Sequence, residues 1–454
     1  MTQQFWFNGN LAQACAPLHA HWHGLWQGRA TNIVTDTRQI KAGDIFLALT
    51  GARFDGHDYL ALARERGAAA AIVARTAPID LPQLQVDDTR LALGLLGKFR
   101  RDACQALRVV ALTGSSGKTT AKEMLASILS QVASTLATKG NLNNDLGVPM
   151  TLLTLDDTHR YAVIELGANH LGEIAYTTRL VRPDVACVLN IGTAHLGEFG
   201  GRDNIACAKA EIFQGLKADG VAVFAQEDDY RATLHAAVQQ DVKVLLAGRD
   251  IVATEVVLTE AGSRFMLGNA HDKVPVDLPL AGAHNVQNAV LVAGCALALG
   301  VDLATIAKGL SQVHPAKGRF NRLDFGVHSL IDDTYNANPN SVWASAQVLA
   351  MSPNTKWLVL GDIGELGSQA DSEHYALGTR LATLDLDNVL TVGNHSAKIT
   401  QALKDNGKTA IHFATKVALY DYLQAALADS VPTTVLFKGS RSAQMETLLT
   451  DLTS

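Results

Sequence analysis

Residues 109–120 read VVALTGSSGKTT, an apolar run that passes through a glycine-containing loop into a segment with helical periodicity. Behind the loop, apolar residues recur at intervals of three and four, as on one face of a helix: Met124, Leu125, Ile128, Leu129 and Val132. A strand followed by such a loop and a helix places backbone N–H groups and the helix N-terminus around phosphate oxygens. The segment therefore predicts a nucleotide-binding phosphate loop in an α/β domain.

Seven residues of this loop are candidates for contact with a nucleotide: Gly114, Ser115, Ser116, Gly117, Lys118, Thr119 and Thr120. The Lys118 ammonium would neutralise the β- and γ-phosphates, and the Thr119 hydroxyl would bind Mg²⁺. The alternative is an ordinary strand–helix turn with a solvated lysine, which the order of strand, GKTT and helix disfavours. A conventional phosphate loop has a glycine where this chain has Leu112, so the loop is the short form T-G-x-x-G-K-T.

The rhythm of apolar runs divides the rest of the chain into three α/β units. Strand-length runs separated by helix-like segments predict a parallel sheet around the loop, at residues 109–112, 161–166, 185–191 and 221–225. Residues 250–280 read as short antiparallel strands, and residues 314–320 as a linker. We predict an N-terminal mixed α/β domain at residues 1–105, a central phosphate-loop domain with a parallel sheet at 106–316, and a C-terminal Rossmann-like domain at 317–454.

Composition and charge exclude several classes of protein. Lys plus Arg is 38 and Asp plus Glu is 44, so the net charge is 38 − 44 = −6, which gives no global attraction to nucleic acid. The longest clean apolar run, residues 289–299, is far shorter than the ~20 residues of a membrane span. The five scattered cysteines form no C-x-x-C pair, and residues 1–10 lack the pattern of a signal peptide. We expect a cytoplasmic protein without a nucleic-acid partner or membrane span.

The short loop resembles that of the ATP-dependent Mur ligases and their relative folylpolyglutamate synthase. The resemblance runs from Thr35 to the C-terminus, nearly the whole chain. Eight further segments carry it in order and spacing: TKGNLNNDLGVPM at 138–150, AVIELGANHLGEI at 162–174, NIGTAHLGEFG at 190–200, AKAEIF at 208–213, GAHNVQNA at 282–289, DDTYNANPNS at 332–341, LGDIGELG at 360–367 and KGSR at 438–441.

The resemblance to the Mur ligases implies an activity as well as a fold. GNLNND, ELGANHLGEI and DDTYNANPNS favour the family member that joins D-alanyl-D-alanine to the carboxylate of UDP-N-acetylmuramoyl-tripeptide over those that add single amino acids. The implied cofactors are ATP and Mg²⁺, and the products include ADP and phosphate. The first domain would bind UDP, the second ATP, and the third nucleotide and the amino component. We expect a monomer.

The chemistry of amide formation explains which residues such a site needs. A carboxylate does not accept an amine directly, because hydroxide is a poor leaving group. Transfer of the γ-phosphoryl group first makes an acyl phosphate, which the amine then attacks through a tetrahedral intermediate. Positioning and neutralisation of phosphate charge dominate such catalysis, so the site needs cations, metal ligands and backbone donors.

Glu165 and His195 are the candidate Mg²⁺ ligands besides Thr119. Glu165 ends a predicted strand, at the carboxyl edge where open α/β sheets bind ligands, and its oxygens suit Mg²⁺. A capping or solvated carboxylate is the alternative. The resemblance implies that His195 is a second metal ligand, although a lone histidine is more often a structural hydrogen-bonding residue and imidazole is an unusual Mg²⁺ ligand.

Lys209 is the fourth candidate catalytic residue, after Lys118, Glu165 and His195. The resemblance implies that it is carbamylated, which turns a cation into an anionic group near the metal. Carbamylation requires a neutral lysine fraction, and hence a lowered pKa. From the residues alone, a solvated lysine on a helix at residues 203–216 is the favoured alternative.

Six further residues are candidates for the ATP site: Asn285, Asn288, Arg319, Asp333, Tyr335 and Asn336. The two asparagines lie three apart at a predicted helix start, where both can face one side or cap the helix. Arg319 lies in the linker, where it could reach a γ-phosphate on domain closure or form a linker salt bridge. The last three follow the first predicted strand of the third domain, and Tyr335 could equally be a core residue.

Two groups of residues are candidates for the UDP-linked substrate. In the first domain they are Thr37, Arg38, Asp55, Gly56 and His57. A structural turn with an Asp–Arg pair is a nearly equal alternative for the region around Arg38. In the GNLNND segment they are Asn141, Asn143 and Asn144, which could instead form a hydrogen-bonded loop.

Competing functions share part of this pattern. Folylpolyglutamate synthase and the Mur ligase that adds the third peptide residue have the same loop, glutamate and lysine, and differ in the amine acceptor. A phosphate-loop switch protein would hydrolyse ATP without any amine. Whether the third residue of the tripeptide is diaminopimelate or lysine stays open.

Overall fold

The computed structural model describes residues 7–8, 10–26, 28–30, 32–428 and 431–453. Within them the chain forms three α/β units with five sheets, in agreement with the predicted fold class. None of the helices in this part of the chain combines the length and apolar character that crossing a membrane demands. Residues 1–6 and 9, which belong to the segment without a signal-peptide pattern, lie outside the described residues.

The N-terminal unit is a small mixed sheet with one long helix. Its strands are β1 (Phe7–Asn8), β2 (His21–His23), β3 (Arg29–Ala30), β4 (Ile33–Val34), β5 (Ile45–Leu47), β6 (Ala70–Val73) and β7 (Gln83–Gln85). Its helices are α1 (Leu11–Ala14), α2 (Leu60–Glu65) and α3 (Thr89–Ala103). The main sheet has the order β2-β7-β6-β5-β4, with only β2 antiparallel to its neighbour.

The central unit is built on a six-stranded parallel sheet of order β13-β12-β11-β8-β10-β9. Its strands are β8 (Arg108–Thr113), β9 (Thr135–Ala137), β10 (Tyr161–Glu165), β11 (Val185–Val188), β12 (Val221–Ala225) and β13 (Lys243–Ala247). Its helices are α4 (Lys118–Ser130), α5 (Gly147–Leu153), α6 (Glu173–Val181), α7 (Leu196–Phe199), α8 (Arg202–Ala210) and α9 (Arg231–Ala236).

Strand β8 shows why the run VVAL is apolar without alternation. Val109 and Ala111 pack into the core on one face of the sheet, whereas Val110 and Leu112 pack into the core on the other. Strands buried on both faces read as continuous apolar runs. Strand β8 lies between β10 and β11, so the chain connections on its two sides run in opposite directions along the sheet. The phosphate loop follows the carboxyl end of β8 at this point, which is the usual ligand position in open α/β sheets.

The remainder of the central unit covers one side of α4. An antiparallel sheet consists of β14 (Val252–Leu258), β15 (Ser263–Gly268) and β16 (Lys273–Leu278), as predicted for this region. It is followed by the helices α10 (Ala283–Ala298) and α11 (Leu303–Ser311). Both helices share a core with the apolar face of α4.

The C-terminal unit is a second doubly wound sheet, of order β17-β18-β22-β19-β20-β21, with only β17 antiparallel. Its strands are β17 (Asn321–Phe325), β18 (His328–Asp333), β19 (Thr355–Gly361), β20 (Asn388–Val392), β21 (Ala410–Phe413) and β22 (Thr433–Lys438). Its helices are α12 (Pro339–Leu349), α13 (Ala370–Leu381), α14 (Ala397–Asp405), α15 (Lys416–Ala426) and α16 (Glu446–Thr453).

Two predicted elements extend at least three residues beyond the observed ones. The strand predicted at 185–191 ends at Val188, because the chain turns out of the sheet there and uses Asn190 to hold the phosphate loop. The helix predicted at 203–216 is α-helical only to Ala210 and continues as a 3₁₀ turn to Gly215. At Gly215 a Cβ atom would lie 2.3 Å from the carbonyl oxygen of Thr178, so the turn packs directly on a neighbouring backbone.

Gly309 of α11 provides a test of the packing that supports the phosphate-loop helix. A Cβ atom there would lie 2.4 Å from Cα of Ile128 in α4. We expect Gly309→Ala to lower the free energy of unfolding of the central unit by about 1–3 kcal/mol through overpacking, although alanine is the better helix former. Denaturant titration measures the change.

Lys308→Ala is the matched control for Gly309→Ala, because this exposed residue lies on the same helix. Its change should stay within about 0.5 kcal/mol. A Gly309→Ala chain as stable as the parent would contradict the close packing of α11 on α4.

Candidate active site

The phosphate loop has the geometry of an anion site. Gly117 adopts a left-handed conformation (φ 79°), and a Cβ atom there would lie 2.8 Å from Nδ2 of Asn288. The first bond within α4 runs from the N–H of Ala121 to the carbonyl of Gly117 (2.9 Å), so the N–H groups of the preceding turn point out of the helix N-terminus. The Lys118 ammonium folds back to donate to the carbonyl of Gly114 (2.9 Å).

Two asparagines that the sequence did not single out hold this loop. The side chain of Asn190 accepts from the N–H of Ser116 and donates to its carbonyl, both at 3.0 Å. Nδ2 of Asn338, in the third domain, donates to the Ser116 hydroxyl at 2.9 Å. The Ser115 hydroxyl accepts a hydrogen bond from the N–H of Gly192 (2.8 Å) and so helps to fix the conformation of the loop. The shape of the loop therefore depends on residues from two domains.

Glu165 is buried at the end of β10, beside the loop. Its Oε2 accepts from the Thr119 hydroxyl (3.3 Å) and its Oε1 from Nδ2 of Asn143 (2.7 Å). Asn143, which is predicted to contact the UDP-linked substrate, thus also holds the carboxylate of Glu165. Oδ1 of Asn144 accepts from the N–H of Gly147 at the start of α5 (2.8 Å), which gives this amide a structural role as well.

Two cavities meet at the loop, and both have walls from the central and the C-terminal domains. Cleft A has a volume of about 430 Å³, and its lining includes Gly117, Thr120, Asn285, Asn288, Asp333 and Lys438. Cleft B has a volume of about 340 Å³, and its lining includes Lys118, Thr119, Asn141, Glu165, His195 and Glu365. Ser116, Gly117 and Arg319 line both clefts, so a molecule that fills both would cross the phosphate loop.

Cleft A brings together the predicted asparagines and the acidic residue of the third domain. Asn285 donates to the carbonyl of Ala281 (2.8 Å), which leaves its side-chain oxygen for the cleft. Oδ2 of Asp333 accepts from Nζ of Lys438 and from the Ser345 hydroxyl, both at 2.6 Å. Burial lowers the pKa of Lys438, and the charge of Asp333 opposes that shift. The ion pair orients Asp333 at the rim of the cleft.

Arg319 and Tyr335 form a stacked pair at the junction of the clefts. The guanidinium carbon of Arg319 lies 4.3 Å from the centre of the Tyr335 ring. Tyr335 lines cleft B and is therefore not a core residue. Burial lowers the pKa of Lys118, the nearby charge of Glu165 opposes this, and that of Arg319 reinforces it. Asn336 also borders cleft B, but its Oδ1 accepts from the N–H groups of Ala337 and Arg441.

Lys209 lies on the buried face of α8, with 1% of its surface exposed. Its Nζ has no hydrogen-bond partner among the described residues and lies 5.7 Å from the centre of the Phe199 ring. Burial, reinforced by the charge of Lys118, lowers the pKa of Lys209 to about 7. The alternative of a solvated helix lysine, which the residues alone favour, is wrong because the side chain of Lys209 is buried.

His195 and Glu365 meet across the domain interface. Nδ1 of His195 lies 2.8 Å from Oε2 of Glu365, with the ring N–H turned out of line for a hydrogen bond. This contact, and more weakly the charge of Lys118, lowers the pKa of Glu365. Glu365 lies in the segment LGDIGELG at 360–367, for which no catalytic or binding role was predicted.

The donor set of cleft B fits Mg²⁺ in part. Mg²⁺ prefers oxygen ligands and keeps waters or phosphate oxygens in its shell. The Thr119 hydroxyl and the Glu165 carboxylate are such donors, and they already lie together. Within the part of the chain that the structure describes, no group of three or more His, Cys, Asp or Glu side chains has the geometry of a metal site. Any Mg²⁺ here therefore needs ligands from the nucleotide and water.

The first-domain candidates lie apart from both clefts. Arg38 is exposed and pairs with Asp36 (2.7 Å), the structural turn given as the alternative, while Thr37 begins that turn. His57 is buried: its Nδ1 contacts Asp55 (2.6 Å) and its Nε2 accepts from the N–H of Ala74 (2.9 Å). Both ring nitrogens of His57 therefore have partners within the first domain and support the loop in this structure. Gly56 packs on the backbone of residues 48–49.

The functional residues that sequence reasoning missed are Asn190, Asn338, Glu365, Lys438 and His284. All five lie within the segments that carry the resemblance to the Mur ligases, and those segments are the signal from which the five residues could have been found. His284 lines cleft A, and burial lowers its pKa to about 4, so its imidazole is neutral there.

Family models and known proteins are similar to this chain along most of its length. The sequence matches three family models: Mur ligase family, catalytic domain, at residues 29–101; Mur ligase middle domain at 112–296; and Mur ligase, glutamate ligase domain, at 318–441. It is 44% identical to the UDP-N-acetylmuramoyl-tripeptide–D-alanyl-D-alanine ligase of Escherichia coli (strain K12), over 91% of this chain and 92% of that protein.

Two solved structures are similar over nearly the entire chain. A crystal structure of MurF from Acinetobacter baumannii superposes with a TM-score of 0.94 and 47% identity, covering 100% of this chain and 99% of that one. The MurF ligase from Thermotoga maritima in complex with ADP has a TM-score of 0.82 and 29% identity, covering 93% and 96%.

Proposed function

This chain belongs to the Mur ligase family, and from that premise we propose that it joins D-alanyl-D-alanine to UDP-N-acetylmuramoyl-tripeptide in the synthesis of peptidoglycan precursors, at the expense of ATP. The observation that carries the proposal is the match, along nearly the whole chain, to ligases of this one specificity. The two clefts that share a phosphate loop support it, because the reaction needs a nucleotide and a carboxylate on either side of the transferred phosphoryl group.

In this proposal ATP occupies cleft A and its phosphates lie on the loop. Asn285 and Asn288 would contact the base, and Asp333 the ribose. The helix N-terminus and Lys118 would hold the β- and γ-phosphates. Arg319, which lines both clefts, would reach the γ-phosphoryl group from the third domain. Thr119, Glu165 and His195 would hold Mg²⁺, which supplies neutralisation of the phosphate charge when bound.

Cleft B would hold the reacting carboxylate. The tripeptide carboxylate attacks the γ-phosphorus, ADP leaves, and an acyl phosphate forms. The amine of D-alanyl-D-alanine then attacks the acyl carbon, the C–O bond to phosphate breaks, and the amine releases a proton. Lys118 and Arg319 supply the positive charge that both transition states require. Asn141 lines this cleft and supports an amide contact to the substrate.

The environment of Lys209 supports its proposed carbamylation. A neutral amine reacts with CO₂ to give a carbamate and a proton, and a pKa of about 7 leaves about half of the lysine neutral at pH 7. Nζ has no other partner in the described part of the chain, so the added carboxylate would not displace an existing bond. The anion would lie close enough to Lys118 for the two charges to attract each other.

The same proposal assigns a ligand to each of the three domains. The first domain, residues 1–105, would bind the uridine nucleotide through the surface around Thr37, Arg38, Asp55 and Gly56. The central domain at 106–316 would bind ATP, and the domain at 317–454 would bind nucleotide and the dipeptide. We further propose a monomer in the cytoplasm, which the five free cysteines support, since disulfides are rare in reducing compartments.

An acceptor panel tests the proposed function. The purified chain is incubated with ATP, Mg²⁺ and UDP-N-acetylmuramoyl-tripeptide, and ADP release and product mass are followed for several amines. We expect amide formation with D-alanyl-D-alanine and none with glutamate or diaminopimelate. Both the diaminopimelate and the lysine forms of the tripeptide belong in the assay, because the structure leaves the third residue open.

Each competing function predicts a different outcome of this panel. Glutamate as acceptor with a folate substrate would indicate folylpolyglutamate synthase. Diaminopimelate added to the dipeptide-bearing precursor would indicate the Mur ligase of the preceding step. ATP hydrolysis that needs neither an amine nor the UDP-linked carboxylate would indicate a switch protein, and any of these results would contradict the proposal.

A further inference from the structure

The C-terminal domain touches the central domain through a loop that packs backbone against backbone on α7. The N–H of Gly197 donates to the carbonyl of Glu365 (3.0 Å). A Cβ atom at Gly197 would lie 2.7 Å from the nitrogen of Gly367, so neither glycine position tolerates a side chain at this distance. The contact therefore fixes the position of Glu365 relative to α7 whenever the two domains meet as they do here.

Two residues at this contact have a backbone conformation that residues other than glycine rarely adopt. His195 has a φ of 59° and Glu365 a φ of 64°. Such conformations persist where the surroundings enforce them, and they gather at functional sites. Here they direct two side chains from different domains toward each other, with Nδ1 of His195 2.8 Å from Oε2 of Glu365.

The contact decides which ring nitrogen of His195 is available to cleft B. The ring N–H is out of line for a hydrogen bond, but the negative charge of Glu365 lies 2.8 Å from Nδ1. That charge favours electrostatically the tautomer that carries its proton on Nδ1, and leaves Nε2 unprotonated as a ligand atom. Without the third domain, His195 would lack this partner.

We propose that Glu365 is a positioning residue, delivered by the C-terminal domain, that sets the tautomer and orientation of His195, so that cleft B is complete only when the two domains are in contact. The inference rests on the proposed function in assigning His195 to the reacting site. It couples domain contact to chemistry through one side chain, in addition to the nucleotide contacts of Arg319.

The first test is spectroscopic and needs no turnover. Long-range proton–nitrogen NMR spectra of the histidine rings are recorded for the full chain with an ATP analogue that cannot be hydrolysed, and His195→Asn identifies the signal of His195. We expect the Nδ1–H tautomer in the parent chain and a shift toward the Nε2–H tautomer in Glu365→Ala. An Nδ1–H tautomer that persists in Glu365→Ala would overturn the proposal.

The second test is a double-mutant cycle on kcat. Glu365→Ala should lower kcat at least tenfold in the parent chain, with KM for D-alanyl-D-alanine within twofold, and less than twofold in a His195→Ala background. A purely structural role would reduce kcat by the same factor in both backgrounds, which would refute the coupling. Glu198→Gln is the control, because this exposed carboxylate lies on α7 and should leave kcat unchanged.

The two tests separate this inference from the proposed function. If the parent chain forms no amide with D-alanyl-D-alanine, the proposed function fails, while the NMR comparison still decides whether Glu365 sets the tautomer of His195. If the parent chain is active and Glu365→Ala matches it in kcat and in the His195 spectrum, only the inference about Glu365 fails. Equal unfolding midpoints of the two chains exclude misfolding as the cause of a lost activity.

Discussion

Replacing Lys118 by alanine is expected to lower kcat/KM for amide formation on the order of 10³-fold while the fold is retained. The lysine is the point charge that the loop directs at the transferred phosphoryl group, and its single observed bond, to the carbonyl of Gly114, belongs to the loop itself. Its removal leaves the α4 packing untouched, because the helix is held by apolar residues on its other face. Coupled ADP release and product mass measure the effect.

Lys243→Ala serves as the control for the loss of a lysine, since this residue is exposed on the edge strand of the central sheet. It should have the activity of the parent chain. The unfolding midpoint of Lys118→Ala should also match that of the parent. Normal ligase turnover by a folded Lys118→Ala chain would refute the assignment of the phosphate loop.

The second large effect is expected at Lys209, where alanine and arginine should each lower kcat about 100-fold. A carbamate is an anion, so arginine, which keeps length and positive charge but forms no carbamate, should be no better than alanine. If Lys209→Arg retains near-normal activity, the residue acts as a plain cation and the carbamate is wrong. Lys243→Arg is the control for the substitution itself.

Two further measurements distinguish a carbamate from other roles of Lys209. A short carboxylic acid added to Lys209→Ala should restore part of the turnover, because it places an anion in the vacated space. Carbamylation also needs the neutral amine, so bicarbonate should restore the activity of CO₂-depleted parent chain more completely above pH 7 than below it, given a pKa of about 7. If the recovery of activity depended neither on bicarbonate nor on pH, that result would contradict carbamylation of Lys209.

Much of the fold follows from local patterns in the sequence. The continuous apolar run at residues 109–112 predicts a strand buried on both faces, and the periodicity after GKTT predicts α4. The antiparallel region at 250–280 and the linker at 314–320 were also predicted. The strand at 185–191 was predicted too long, because a propensity pattern does not register that Asn190 leaves the sheet to bond the loop.

The candidate site was only partly predictable, because asparagines serve equally well as ligands and as structural hydrogen-bonding residues. Asn141 and Asn143 are two positions apart, yet only Asn143 is seen to hold Glu165. His57 was predicted to contact the UDP-linked substrate, but in the structure its two ring nitrogens contact Asp55 and the N–H of Ala74. Nothing in a local pattern distinguishes these outcomes, since they depend on which groups the fold brings within 3 Å.

By itself, the sequence determined the phosphate loop, the three α/β units and the family, because strand burial, helix periodicity and motif spacing are properties of neighbouring residues. Only the tertiary structure decided what lies around the loop. Asn338 reaches Ser116 across 222 positions of sequence, and Lys438 reaches Asp333 across 105. The burial that lowers the pKa of Lys209, and the meeting of His195 with Glu365, arise from packing between distant segments, which no spacing along the chain encodes.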